Sequence, residues 1–211
     1  MNNNKIPLNL EVENFIKSFA TTLTKPQFVH FEQIIKGINF SSKKSINQYS
    51  KSSTKNQSSL CRFMNSDFVK DKKISNQLKK LIKSNIDYSK DIDFIIDDTI
   101  KHHKYAKYIY GLSNHHDHLN GGYSKGQNIV TCGISQDKKF YPTNFEFYLK
   151  QQDVSESSCF KTKLDIAQSM IDEWNDNVHN FLFDSWYASQ DILKSIHKRK
   201  KFFLQCLKKI D

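Results

Sequence analysis

The sequence has 211 residues, which allow one mid-sized domain with a hydrophobic core or two unequal domains. Its 32 basic and 22 acidic residues give a formal charge of +10, which favours a polyanionic partner, nucleic acid before membrane. A lysine-rich solvated surface would give the same charge. No window holds the roughly 20 apolar residues of a membrane helix, and the start Met1–Lys5 lacks the apolar core of a signal peptide. We therefore expect a cytoplasmic protein without a membrane partner.

The four cysteines are scattered along the chain, with no C-x-x-C pair. This spacing indicates neither a disulfide framework nor a zinc ribbon, so we expect reduced thiols.

The N-terminal part is predicted to be helical from Leu8 to about Ser89, because apolar residues recur there at helical spacing and glycine is almost absent. Thr24 followed by Lys25 and Pro26 is typical of an N-cap with proline in the first helical turn. We expect Gly37 to weaken the end of the helix that starts there. The domain boundary is placed after Ser89, giving a helical region 1–89 and a second domain 90–211.

A helix-turn-helix is predicted over residues 43–65. A short helix from Lys43 to Ser50 precedes a polar turn, and Thr54–Gln57 has the S/T-x-x-Q form of a capping box that opens a second helix. In this hypothesis four side chains reach base edges and two lysines meet phosphates. The base-contacting set is Asn56, Gln57, Ser58 and Arg62, and the phosphate-contacting set is Lys51 and Lys55. A plain helical bundle with a polar surface has the same outline, and the sequence leaves both alternatives open.

Two apolar runs in the second domain end in aspartate. Phe94–Thr99 ends in Asp97 and Asp98, and Phe181–Trp186 contains Asp184. Each run is typical of a short buried strand that delivers a carboxylate to a sheet edge. Two such strands side by side would bring like charges together, which makes sense chiefly with a divalent cation between them.

The remaining elements of the second domain predict a mixed sheet with helices on its faces. Strands are expected near 128–135 and 139–149, a long helix over 164–174, and a basic helix and a last strand after the second aspartate run. The polar segment from Gly111 to Gly122 is predicted to be a loop or hairpin turn. Three strands followed by alternating helix and strand give an α/β layer architecture.

With an aspartate on the first strand and another on the fourth, this order has the layout of the ribonuclease H-like fold. The segments Ile96–Thr99, Phe183–Tyr187 and Lys201–Phe203, together with the glycine-bearing hairpin, resemble the catalytic domain of prokaryotic insertion-sequence transposases of the DDE superfamily. The N-terminal part resembles the helical DNA-binding region of those proteins. The resemblance implies a nucleoid-associated enzyme that binds double-stranded DNA at element ends and catalyses cleavage and strand transfer. A homodimer on DNA is compatible with it, and the sequence does not decide the oligomeric state.

The resemblance also implies the site residues. It makes Asp98, which directly precedes the threonine, the first catalytic and metal-binding acid, and Asp184 the second. Asp97 would face the opposite side of the strand, so only one of the two neighbours can face the metal. Two Mg²⁺ or Mn²⁺ ions would be held in the complete enzyme. Lys198 and Arg199, on the basic helix, are expected to hold the DNA backbone, although a solvated helix end explains such residues equally well.

The resemblance calls for a third acid, a glutamate on a helix after the last strand, and the sequence ends at Asp211 before such a helix. Glu146 and Glu173 lie elsewhere, and Asp211 is too close to the strand to take the place of that glutamate. We therefore expect an N-terminal transposase portion with a C-terminally truncated catalytic domain, able to bind DNA and nearly inactive in cleavage. The alternatives are an inactive DNA-binding remnant or repressor of transposition, and a regulator that uses only the helix-turn-helix.

A zinc site is a competing hypothesis for the histidine-rich segment after the first aspartate strand. Five histidines and Asp117 crowd residues 102–118 without matching a known zinc spacing. The histidines are His102, His103, His115, His116 and His118. Solvent-exposed histidines on a polar loop are the simpler interpretation.

Overall fold

The computed structural model describes residues 9–66, 72–116, 121–155, 159–174 and 178–206. The chain forms two compact units that divide between Leu81 and Ile82. Seven α-helices and a six-stranded mixed sheet occur in the described part, which confirms the predicted combination of helices with a ribonuclease H-like sheet. Within the same ranges no helix combines the length and the apolarity needed to cross a membrane.

The N-terminal unit is built from helices around two apolar clusters. The first cluster is Phe19, Leu23 and Phe31, and the second is Ile34, Tyr49 and Leu60. The helices are α1 Leu10–Lys17, α2 Lys25–Phe40, α3 Ile46–Lys51, α4 Gln57–Met64 and α5 Lys73–Asn85, the last of which continues past the boundary of the unit.

The start of α2 agrees with the cap predicted from its sequence. The Gln27 side-chain oxygen accepts hydrogen bonds from the Thr24 N–H at 3.0 Å and from the Thr24 hydroxyl at 2.9 Å. The helix continues beyond Gly37 to Phe40. A Cβ at position 37 would lie 2.5 Å from Cγ of Tyr49, so the glycine allows α3 to approach α2 closely.

The start of α4 differs from its prediction. The predicted capping box at Thr54–Gln57 is wrong, because the Asn56 side chain caps the helix by accepting a hydrogen bond from the Ser59 N–H at 2.8 Å. The Thr54 N–H instead donates to the side-chain oxygen of Gln33 at 3.2 Å. Asparagine and threonine both serve as N-caps, so the residue types alone do not decide between Thr54 and Asn56.

The C-terminal unit contains the sheet and its covering helices. The strands are β1 Asp93–His102, β2 Leu112–His116, β3 Tyr123–Gln136, β4 Lys139–Tyr148, β5 Asn180–Asp184 and β6 Phe202–Cys206. Along the chain, helix α6 (Lys163–Trp174) connects β4 to β5, and helix α7 (Gln190–Lys198) connects β5 to β6. The strand order is β2-β3-β1-β5-β6, with β4 also paired to β3. β1 pairs antiparallel with β3 and parallel with β5, which in turn pairs parallel with β6.

Strand β2 is a feature that the sequence pattern did not predict. It consists of Leu-Ser-Asn-His-His and pairs with Tyr123–Gln127 at the start of β3. Its side chains do not alternate between apolar and polar, so its pairing depends on the neighbouring strand rather than on burial. β4 pairs with the rest of β3 from Asn128 onward, with a register shift at Cys132 and Gly133.

The segment before β1 is tied to the sheet. The Asp87 N–H donates to the side-chain oxygen of Gln136 at 2.8 Å, and the Gln136 amide nitrogen donates back to the Asp87 carbonyl at 2.8 Å. These two hydrogen bonds fix the entry into β1 against the end of β3, so the strand that carries the first aspartates starts from a defined position.

Candidate active site

The middle of β1 and the end of β5 bring two acids together. In the parallel pairing Ile96 lies opposite Phe183, and both side chains are buried in the core. The residues that follow, Asp97 and Asp184, are therefore neighbours on the other face of the sheet, where both are exposed. The result is an acidic pair at the point where the parallel pairing of β1 with β5 ends, while β1 itself continues to His102.

Electrostatics support this juxtaposition. Although the Asp97 residue is exposed, neighbouring atoms partly desolvate its carboxyl group, which raises its pKa, and the negative charges of Asp98 and Asp184 raise this pKa further. A hydrogen bond from the Asp98 N–H to Asp97 Oδ1, at 2.8 Å, acts in the opposite direction. The charged form of Asp97 is therefore disfavoured, first by desolvation and to a smaller extent by its two acidic neighbours, and a bound cation would stabilise it.

Asp98 points to the other face and its carboxylate is occupied by protein groups. Lys163 Nζ lies 2.6 Å from Oδ2, the Tyr187 hydroxyl donates to Oδ1 at 2.9 Å, and the Asn128 amide donates to Oδ2 at 3.2 Å. The side chains of Lys163 and Asp98 are only 18% and 22% exposed. The adjacent Trp186 ring lies 5.2 Å from the same ammonium, a further favourable contact for the cation.

Tyr187 is held in its neutral form at this position. Burial raises the pKa of its hydroxyl, and the Asp98 carboxylate raises it further. The protonated phenol is therefore the hydrogen-bond donor and the carboxylate is the acceptor. Lys163 and Asn128 were not predicted from the sequence, because nothing in their local pattern indicates a contact with β1.

The two adjacent aspartates thus have different surroundings. Asp97 shares a face and an electrostatic interaction with Asp184, whereas Asp98 has a lysine, a tyrosine and an asparagine around its two oxygens. The resemblance assigned the first metal-binding role to Asp98, and that assignment stays a prediction. The geometry favours Asp97 as the partner of Asp184.

A 3₁₀ turn, Ser185–Tyr187, orients Asp184 directly after β5. Asp184 Oδ1 accepts hydrogen bonds from the Ser185 hydroxyl at 2.9 Å and from the Trp186 N–H at 3.4 Å. The turn therefore fixes the direction of the carboxylate and also delivers Tyr187 to Asp98. The order of residues in Asp184-Ser185-Trp186-Tyr187 therefore has a structural reason: Ser185 and Trp186 orient Asp184, and Tyr187 contacts Asp98.

A family model described as DDE superfamily endonuclease matches residues 27–201. The chain belongs to the DDE superfamily of endonucleases. No individual curated protein matches this DDE endonuclease closely enough to be named as a relative. Membership implies a nucleic-acid substrate, and enzymes of this superfamily generally use divalent metal ions.

Among the described residues of this DDE endonuclease, no group of three or more His, Cys, Asp or Glu side chains is arranged to hold a metal ion. The histidines predicted as alternative zinc ligands have other surroundings: His103 is within 3.0 Å of Gln127, and His115 is buried. His118 and Asp117 lie outside the described residues. Asp97 and Asp184 are consequently the acidic pair that the geometry offers.

The two glutamates considered in the sequence lie at other places. Glu146, on β4, forms an ion pair with Lys161 at 2.9 Å. Glu173, on α6, is within 3.4 Å of the Asn144 amide. Asp211 lies outside the described residues. The third acid that the resemblance calls for therefore has no counterpart beside Asp97 and Asp184 in the described ranges.

The six side chains predicted to contact DNA from the helix-turn-helix lie on or next to α3 and α4. Asn56, Gln57, Ser58, Arg62 and Lys51 are exposed, and Lys55 is half-buried. The oxygen of the Asn56 side chain is used to cap α4, which leaves its amide nitrogen for other contacts.

The two predicted backbone-binding residues near the end of α7 differ in surroundings. Lys198 is exposed. Arg199 Nη2 lies 2.5 Å from Asp172 Oδ1 on α6, and its side chain is 29% exposed. Arg199 therefore links α7 to α6, whereas Lys198 is the residue of the two with free access to a phosphate.

Proposed function

We propose that this protein is a DNA transposase that cleaves phosphodiesters at the ends of a mobile element and joins them to target DNA. One observation carries the proposal: Asp97 and Asp184 follow the last register pair of the parallel strands β1 and β5 in a ribonuclease H-like sheet, and they share one face. Membership in the DDE superfamily of endonucleases supports the reaction class. The element ends and the strand-transfer step follow from the resemblance to insertion-sequence transposases.

The donor set fits a hard divalent cation. Two exposed carboxylates suit Mg²⁺ or Mn²⁺, since Mg²⁺ is commonly bound by one or two carboxylates together with waters and substrate phosphates. Two such ions, when bound, would supply activation of the attacking water or 3′-hydroxyl and stabilisation of the leaving oxygen. Asp97 and Asp184 would hold the ions, and the repulsion that raises the pKa of Asp97 would be relieved on binding.

Other residues of the chain keep this acidic pair in place. Lys163 and Tyr187 hold Asp98 on the opposite face of β1. These contacts fix the orientation of the backbone at the neighbouring residue, Asp97. Asp98 in this proposal is a positioning residue. The exposed amide and guanidinium groups of the α3–α4 region would read duplex DNA, and Lys198 would neutralise a phosphate.

Nicking of supercoiled plasmid DNA in the presence of Mn²⁺ tests the reaction. We expect slow, metal-dependent nicking, since the described residues place two acids at the site instead of three. Asp97→Asn and Asp184→Asn should abolish it. Asp91→Asn is a matched control, because Asp91 is an exposed carboxylate beside the opposite end of β1. Nicking that survives in both Asp97→Asn and Asp184→Asn would contradict the proposal.

A second candidate function is a repressor of transposition that occupies element ends without cutting them. It is favoured by the lack of a third acid beside Asp97 and Asp184 in the described ranges. Gel-shift titration with the Asp97→Asn/Asp184→Asn double variant distinguishes the two functions. Salt-sensitive DNA binding equal to that of the wild type, with no nicking by the wild type, would favour the repressor.

A further inference from the structure

The segment that leads from β1 into β2, with the start of β3, exposes a group of tyrosines and lysines that no step of the proposed reaction uses. We call this group the tyrosine–lysine surface. It consists of Tyr105, Tyr108, Tyr110, Tyr123, Lys101, Lys104, Lys107 and Lys125, all of which are exposed. Tyr108 is 97% and Tyr105 86% exposed. Four of the nine tyrosines of the chain are concentrated here, whereas single exposed aromatic residues are normal on a protein surface.

The backbone beneath this surface is held by specific hydrogen bonds. The His103 N–H donates to the Lys125 carbonyl at 2.9 Å, which connects the segment to β3. The Gln127 side chain contacts His103 Nε2 at 3.0 Å and donates to the Tyr110 carbonyl at 2.6 Å. Gly111, with a φ of +71°, makes the turn into β2. The exposed rings are therefore attached to a fixed loop, and binding would cost little ordering of the backbone.

The charge of the surface has one sign. Residues 99–116 and 121–136 contain no aspartate or glutamate, and Asp117, between these ranges, lies outside the described residues. Lys104 Nζ lies 5.6 Å from the centre of the Tyr105 ring, which places a cation beside an exposed aromatic face. Alternating cations and flat rings match a polyanion that carries unstacked bases.

We propose that the tyrosine–lysine surface binds single-stranded DNA, with bases stacked on Tyr105 and Tyr108 and phosphates near the lysines. Duplex DNA fits less well, because its base faces are covered by their neighbours in the stack. A protein partner also fits less well, because it would have to bury several lysines, and charged residues are depleted in the core of protein interfaces.

The surface begins on β1, the strand that carries Asp97 of the acidic pair. Lys101 follows Asp97 by four residues on β1, a separation of roughly 13 Å along the strand. A strand end freed at the acidic pair would reach the tyrosine–lysine surface within a few nucleotides. The biological role of the surface rests on the proposed transposase function, but the binding itself does not require cleavage.

Fluorescence anisotropy with labelled oligothymidine of about 20 nucleotides tests the binding, using the full chain without divalent metal. Stacking is lost on alanine substitution at about 1–3 kcal/mol per base. We therefore expect Tyr105→Ala/Tyr108→Ala to weaken binding by at least about tenfold. Tyr105→Phe/Tyr108→Phe keeps the rings and should change the affinity by less than about twofold. Tyr88→Ala is the matched control, since Tyr88 is an exposed tyrosine outside the surface.

Salt dependence tests the lysines separately. Lys104→Gln/Lys107→Gln should lower the slope of log affinity against log salt by about 1.4, which corresponds to two phosphate contacts on single-stranded DNA at about 0.7 each. An unchanged slope would show that Lys104 and Lys107 do not contact phosphates, which contradicts this part of the proposal.

Three results would overturn the inference. The first is equal oligothymidine affinity for the wild type and the alanine double variant. The second is a duplex affinity that the alanine double variant loses as strongly as the oligothymidine affinity. The third is a wild-type self-association that the alanine variant loses in size-exclusion chromatography. The outcome is independent of the proposed reaction. Tyrosine-dependent binding with no metal-dependent nicking would support the single-stranded DNA site and contradict the proposed reaction. Nicking without tyrosine-dependent binding would support the reaction and contradict the single-stranded DNA site.

Discussion

Asparagine substitutions at the two adjacent aspartates should change stability in opposite directions. Asp97→Asn keeps the side-chain oxygen that accepts the hydrogen bond from the Asp98 N–H and removes a charge that is repelled by Asp98 and Asp184. Like charges opposite each other on neighbouring strands are destabilising, and such cross-strand pairs are worth about 0.2–1 kcal/mol. Because Asp97 is exposed, solvent screening keeps the expected gain in unfolding free energy near the lower end.

Asp98→Asn should instead destabilise the C-terminal unit. It leaves the ammonium of Lys163, which is 18% exposed, without its carboxylate partner. Hydrogen bonds to charged groups contribute about 1.5–3 kcal/mol, and removal of one partner of a fully buried ion pair costs about 3–5 kcal/mol. For this half-buried pair we expect a loss of about 1–3 kcal/mol.

Urea unfolding at pH 7 and low ionic strength, without divalent cations, measures both effects. The two tryptophans of the chain, Trp174 and Trp186, lie in the C-terminal unit, so their fluorescence reports on that unit. Asp91→Asn is again the control. A gain for Asp98→Asn, or a loss of more than 1 kcal/mol for Asp97→Asn, would refute the assignment of the two side chains to opposite faces.

The pH dependence has a defined sign. Because the pKa of Asp97 is raised in the folded protein, folding favours its protonated form. The protonated form of Asp97 therefore adds to the unfolding free energy below the unfolded pKa of about 3.9, and this contribution is lost as the pH rises through the folded pKa. The advantage of Asp97→Asn should therefore be full at pH 7 and shrink as the pH falls toward about 4. Added Mn²⁺ should raise the stability of the wild type and not that of Asp97→Asn.

Three further substitutions test other contacts. Gly37→Ala would place a Cβ 2.5 Å from the Tyr49 ring and should destabilise the helical unit by about 1–3 kcal/mol, measured by far-ultraviolet circular dichroism. Tyr187→Phe removes the hydroxyl donor to Asp98 and should cost about 1.5–3 kcal/mol in urea unfolding followed by tryptophan fluorescence. Burial lowers the pKa of His115, so its contribution to stability is present above the unfolded pKa of about 6.5 and is lost as the pH falls. His115→Gln should flatten the stability profile below pH 6.5, and an unchanged profile would contradict this.

Much of the fold could be predicted from local patterns. The runs of β-branched and aromatic residues at Phe94–Ile96 and Phe181–Phe183 identified two buried strands, and the apolar spacing from Leu164 to Trp174 identified α6. Both patterns arise from burial of one side of an element, which the sequence records directly. Strand β2 carries no such pattern, because its partner strand determines its conformation through backbone pairing.

The site was harder to predict than the fold. Alternation along β1 shows that Asp97 and Asp98 face opposite sides, but which side belongs to the site depends on the register with β5. That register pairs residues 87 positions apart, such as Asp93 and Asn180, and leaves no local signal. For the same reason Lys163 could not be recognised as the cation beside Asp98.

This register also has a kinetic consequence. The antiparallel pairing of β1 with β3 joins residues close in sequence, such as His102 and Gly126, whereas the parallel pairing with β5 must close a much longer loop. Loop closure costs entropy that increases with loop length, and non-local contacts slow folding. We expect the antiparallel meander of β1, β3 and β4 to form early and the β1–β5 pair to form late. The nascent chain would then acquire a sheet before Asp97 and Asp184 meet, so partly folded molecules would lack the acidic pair of the proposed active site.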